Sequence, residues 1–186
     1  DYLQAVTSIR RHTSIPLVLF SYFNPILQYS LERLASDARA AGVDGILVTD
    51  MTPEEADDYC SVLERHELDP IFLVAPTSSA ERVGRIVQRA RGFVYLISRT
   101  GVTGEREILS ESVAPTLRRV RERTGLPVAV GFGISTPEQV RAVWDVAEGA
   151  VVGSAIVARI EKLAGSSQLP AQVGEFCRWL TEARNG

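Results

Sequence analysis

The sequence predicts an α/β protein built from repeated strand–helix units around a parallel sheet, and three observations predict it. Apolar runs of strand length alternate with longer stretches of helical period. The alternation recurs at roughly 25 to 35 residues, the size of one βα unit. No long linker or low-complexity segment interrupts it. These features leave two architectures, a doubly wound open sheet and a (β/α)8 barrel.

Six runs rich in Val, Ile, Leu and Phe read as strands: Ile15–Ser21, Gly45–Thr49, Pro70–Ala75, Phe93–Ser98, Pro127–Gly131 and Ala150–Val152. Their apolar residues occupy both alternating positions, so burial on both faces is expected. Between them, Leu31–Ala41, Pro53–Glu67, Ala80–Arg91, Ser112–Thr124 and Pro137–Ala147 carry apolar residues at helical spacing. Helix starts are marked where a hydroxyl precedes an acid or amide by three residues, at Thr52-Pro53-Glu54-Glu55, Ser78-Ser79-Ala80-Glu81 and Thr136-Pro137-Glu138-Gln139. Gly42, Gly92, Gly125 and Gly149 read as helix ends, where glycine accepts the left-handed conformation of a C-terminal cap.

With 186 residues, 45% hydrophobic and 23% charged, the composition is that of one globular domain spanning 1–186. A net charge of −3 argues against a nucleic-acid footprint. The cluster Arg118, Arg119, Arg121 and Arg123, interrupted by Glu122, reads as a solvated helix face. Cys60 and Cys177 form no CxxC and suggest neither a disulfide framework nor a metal site, which fits a reducing cytosol. No apolar stretch approaches the ~20 residues of a membrane span, and no leader is apparent. The first residue is Asp1 and the only methionine is Met51, so the gene is expected to begin further upstream.

In either architecture a ligand binds beyond the carboxyl ends of the strands. Three of those ends are glycine turns: Arg99-Thr100-Gly101-Val102-Thr103-Gly104, Gly131-Phe132-Gly133-Ile134-Ser135 and Gly153-Ser154-Ala155. Each alone reads as a tight turn. Three in succession suit a phosphate, because glycine lets the backbone approach an anion and a following helix supplies N–H donors. No GxGxxG follows the first strand and no P-loop occurs. In a barrel the phosphate site commonly lies after strands seven and eight, which would make these six strands the third to the eighth. The only lysine, Lys162, lies away from any strand end, so a Schiff-base mechanism has no amine. His12 and His66 provide neither a triad nor a metal cluster. What remains at the strand ends is Tyr22, Asn24, Asp50, Tyr95 and Thr103, of which Asp50 reads equally as a turn or capping residue and Tyr95 as core.

The segments LVLFSYFNPI, GILVTDMTPEEA, YLISRTGVTG, VGFGIST and VVGSAIV, in this order and spacing, closely resemble the tryptophan synthase alpha subunit family from its third strand onward. The resemblance implies a TIM barrel of the ribulose-phosphate-binding type, present here as about six βα units. It implies aldol cleavage of indole-3-glycerol phosphate to indole and glyceraldehyde 3-phosphate. It also implies transfer of indole to a pyridoxal-phosphate beta subunit in an alpha2beta2 heterotetramer, with no cofactor or metal on this chain. Gly104, Gly133, Gly153 and Ser154 would then hold the substrate phosphate, and Phe20, Tyr22, Leu47, Thr49, Leu73, Tyr95 and Phe132 would line the indole pocket. Tyr95, Thr103 and Asp50 would support catalysis, and Asn24, Pro25 and Pro53 would face the partner. Residues 99–104 would form a lid that excludes water.

Two departures bear on function. Pro53 stands one residue later than the family's usual proline after the strand-end aspartate. The family's catalytic glutamate and aspartate are expected to precede Asp1, and Glu105 and Glu107, beyond the lid, do not replace them. These 186 residues alone are therefore expected to be inactive. Two other readings remain: a non-catalytic phosphate-binding module that activates a partner, and another phosphate-binding barrel enzyme such as an isomerase of the same pathway.

Overall fold

The computed structural model describes residues 2–97, 113–131 and 133–182. The chain divides into two compact units, one of residues 1–74, 78–94 and 120–126, the other of 75–77, 95–119 and 127–186. The described elements are, in chain order, α1 (Tyr2–Arg10), β1 (Val18–Ser21), α2 (Phe23–Tyr29), α3 (Leu31–Ala41), β2 (Gly45–Val48), α4 (Asp57–Arg65), β3 (Asp69–Val74), α5 (Ala80–Arg89) and β4 (Val94–Ile97). They continue as α6 (Ala114–Arg121), β5 (Val128–Gly131), α7 (Pro137–Trp144), β6 (Gly149–Val151), α8 (Ser154–Lys162) and α9 (Leu169–Thr181). Six strands follow one another across the sheet in chain order, as expected of successive βα units.

In the first unit β1, β2 and β3 run parallel, with Val18 opposite Gly45 and Gly45 opposite Asp69. All four residues of β2 are buried, which explains its unbroken apolar run. The expectation of two buried faces fails for β1, where Val18 is 38% and Phe20 63% exposed. The cause is position, since β1 stands at the end of the strand order with β2 as its one neighbour. The ladder also starts later than Ile15. Before it, backbone groups are met by side chains: Arg10 donates to the Ile15 carbonyl at 2.8 Å, and Asp44 accepts from the Leu17 amide at 2.7 Å. Arg10 continues to the Gly42 carbonyl and to the Asp44 carboxylate, tying α1 to the turn between α3 and β2. Gly42 has φ 97, as its reading as a helix end requires.

The helix starts divide. Thr136 caps α7 in a full capping box with Gln139, as expected. Thr52 caps nothing: its hydroxyl donates to the Glu55 carboxylate at 2.9 Å, residues 52–55 form a turn, and α4 begins only at Asp57. In α5 the cap is Ser79, bonded to the Arg82 amide, while Ser78 is buried. Gly149 is no helix end. It lies in β6, where a Cβ would come within 3.1 Å of the Ala129 Cβ on the neighbouring strand. Of the arginine cluster, Arg119 departs from a solvated face, donating to the Pro76 carbonyl and the Thr116 hydroxyl.

The core of the first unit lies between the strands and α4. Tyr59 is buried, donates its hydroxyl to the Ile46 carbonyl at 2.8 Å, and meets Phe23 and Phe72 edge-on at 6.4 Å each. Burial pushes its hydroxyl pKa far up. In the second unit β5 and β6 run parallel, with Ala129 opposite Gly149 and Gly131 opposite Val151.

Candidate active site

In the first unit the register fixes which side chains share a face. Phe20 pairs with Leu47, and Leu47 with Ile71, so these three form one row across the sheet. Alternation places Tyr22, Thr49 and Leu73 in the next row on the same face, toward the carboxyl ends of the strands. The opposite face, with Ile46 and Phe72, packs against Tyr59 of α4. Five residues that the resemblance assigns to an indole pocket, Phe20, Tyr22, Leu47, Thr49 and Leu73, thus share one surface of the sheet, the one opposite Tyr59, with Leu47 buried and Phe20 and Tyr22 exposed. Ile71 belongs to the same row and was missed, although it stands two residues before Leu73 in the same run.

At the rim of that surface Asp50, exposed, accepts the Phe23 amide at 2.7 Å. Phe23 is the first residue of α2, so Asp50 acts as a cap delivered from another strand. Asn24 and Pro25 lie exposed in the first turn of that helix, whereas Pro53 is buried in the turn after β2.

In the second unit Tyr95 of β4 is half-buried, and burial raises its hydroxyl pKa. Its ring occupies the space beside Gly131, where a Cβ would lie 2.7 Å from Cε2 and 2.8 Å from Cζ. Any side chain at Gly131 displaces that ring, a relation signalled in the sequence only by a glycine within an apolar run. Because Gly131 pairs with Val151, Gly133 and Gly153 leave neighbouring strands at the same level. Gly133 has φ 43, which favours glycine. Gly153 precedes α8, and among the described residues nothing lies within 4 Å of where its Cβ would stand. The Ile156 and Val157 amides both bond the Gly153 carbonyl, at 2.9 and 3.1 Å, so the amides of Ser154 and Ala155 precede the first helical bond. An exposed glycine before the positive end of a helix dipole is an arrangement that can accept an anion.

Thr103, Gly104, Phe132 and the lid expected at residues 99–104 lie outside the described residues. Among the described residues no group of three or more His, Cys, Asp or Glu could hold a metal, and no helix is long and apolar enough to cross a membrane.

Comparison with known proteins bears on the family and the fold. A family model described as Tryptophan synthase alpha chain matches residues 1–185. The tryptophan synthase alpha chain of Solibacter usitatus is 52% identical over 178 residues, covering 96% of this chain and 67% of that relative. Among solved structures, a tryptophan synthase complex from Pyrococcus furiosus superposes with a TM-score of 0.83 at 31% identity, covering 100% of this chain and 72% of that one. A second structure from the same organism, of the mutually activating a2b2 complex, gives a TM-score of 0.85 at 34% identity, with 99% and 73% covered. The strands and helices are therefore those of a TIM-barrel-like α/β protein, and the chain belongs to the tryptophan synthase alpha chain family.

Proposed function

We propose that the chain takes part in tryptophan biosynthesis by cleaving indole-3-glycerol phosphate to indole and glyceraldehyde 3-phosphate. The bond between indole C3 and the adjacent glycerol carbon breaks, C3 takes up a proton, and the hydroxyl on the glycerol carbon loses one as it becomes the aldehyde. The apolar rows of Phe20, Leu47 and Ile71 and of Tyr22, Thr49 and Leu73 offer a surface for the flat indole. Gly133, Gly153 and Ser154, with Gly104, take the phosphate. Tyr95 and Thr103 support the reacting groups. The beta subunit, which holds pyridoxal phosphate, receives the indole and docks near Asn24, Pro25 and Pro53. This chain binds no cofactor of its own. Free thiols at Cys60 and Cys177 accord with a reducing cytoplasm.

The observation that carries the proposal is the pair of glycine exits at the level of Gly131 and Val151, the second opening a helix. Calorimetric titration with glycerol 3-phosphate tests it. Gly153→Ala places a methyl group in space that no described residue fills, so affinity should fall roughly tenfold while the unfolding midpoint stays put. Equal affinity for the two proteins would remove the phosphate site from this end of the strands.

A further inference from the structure

We infer that Asp50 is a positioning residue for the proposed lyase site, acting through helix α2 rather than on the substrate; the inference rests on the reading just given. The corner between β1 and α2 lacks a cap of its own. Its N-cap residue, Tyr22, is extended at φ −91 and ψ 161 and makes no side-chain capping bond. Asp50, arriving from the end of β2, fills the role with a charge-assisted bond of 2.7 Å to the Phe23 amide.

Three features converge on that bond. The Thr49 amide bonds the Ser21 carbonyl at 3.0 Å, so the two chain segments are in register up to the residue before Asp50. Tyr22, immediately before the capped residue, stands in the same row as Thr49. Phe23 itself is clamped by Tyr59 on the helix side. Helix α2 has seven residues and one buried side chain, Ile26, and its last residue is held to α3 by the Tyr29 hydroxyl, which donates to Asp37 at 2.8 Å, so Asp50 is the polar anchor at the opposite end, the first turn. A tether at its first amide therefore sets where Tyr22 stands over the apolar surface and how Asn24 and Pro25, one and two residues further on, are presented.

The test uses the full chain assembled with a beta subunit, comparing Asp50→Ala, which removes the acceptor, with Asp50→Asn, which keeps an oxygen in its place but removes the charge. Asp50→Ala should lower kcat for indole release roughly tenfold and leave KM within about twofold, because the glycine exits are untouched. Asp50→Asn should recover kcat to within about threefold of wild type. Hydrogen exchange at the Phe23 amide should accelerate in Asp50→Ala and not in Asp50→Asn. Wild-type kcat in Asp50→Ala, or unchanged exchange at Phe23, overturns the positioning role. So does an Asp50→Asn variant as slow as Asp50→Ala with Phe23 still protected, which would assign Asp50 to proton transfer. A wild-type complex that releases no indole removes the lyase reading instead, and the Phe23 exchange then still reports whether Asp50 holds α2.

Discussion

Tyr59 concentrates much of the first unit's packing in one side chain. Its ring touches two other aromatics and its hydroxyl spans from α4 to the backbone of β2, so two kinds of energy can be separated by substitution. Tyr59→Phe removes one buried hydrogen bond and should cost about 1–2 kcal/mol. Tyr59→Ala also leaves a cavity and should cost about 3–5 kcal/mol. Urea unfolding of both variants measures the difference, and equal costs would mean that the ring contributes nothing beyond its hydroxyl. Gly131 makes the converse case. Its missing Cβ is what allows the Tyr95 ring to lie where it does, so the shape of the second unit's surface depends on an atom that is absent.

At the level of elements, two four-residue segments of the same form behave differently, and stability should record it. Thr136→Ala removes a true cap from α7 and should cost about 1 kcal/mol, whereas Thr52→Ala, in a turn before α4, should cost less than about 0.5 kcal/mol. Denaturant midpoints compare them, and a larger loss at Thr52 would reverse the assignment. The six strands and the helices α3, α5 and α7 were legible in the sequence because their apolar spacing is regular. Their ends were less so, because capping chemistry competes with local alternatives: the Thr52 hydroxyl meets a carboxylate instead of an amide. Helix α2 was not legible. It carries Pro25 in its first turn, begins at a tyrosine that cannot cap it, and has its acceptor on Asp50, 27 residues away. The site was half-readable for the same reason. Alternation along a strand shows Phe20, Leu47 and Leu73 as sharing a face, and glycines after strands mark the exits proposed to take the phosphate. A bond between distant segments, or a ring held over a glycine, leaves no periodic trace.

At the scale of the whole sheet, β1 is the strand at one end of the order. It has one strand neighbour, and a groove of about 660 Å3 beside it is lined by Tyr2, Val18, Phe20, Tyr22 and Tyr29, all substantially exposed. Apolar strand edges of this kind pair with other chains. A polypeptide of residues 1–186 expressed alone should therefore associate in solution. Light scattering decides it, and a monomer at all concentrations would show that the exposed edge of β1 does not pair with another chain. Just before the same strand, Arg10 grips Asp44 across 34 residues of sequence. A bond between such distant residues gains strength only after the chain between them is ordered, so it weighs on the rate of leaving the native state more than on the rate of reaching it. Helix α1 is thus a hasp on the first strand, one guanidinium fastening it to the approach to β1 and to the turn before β2.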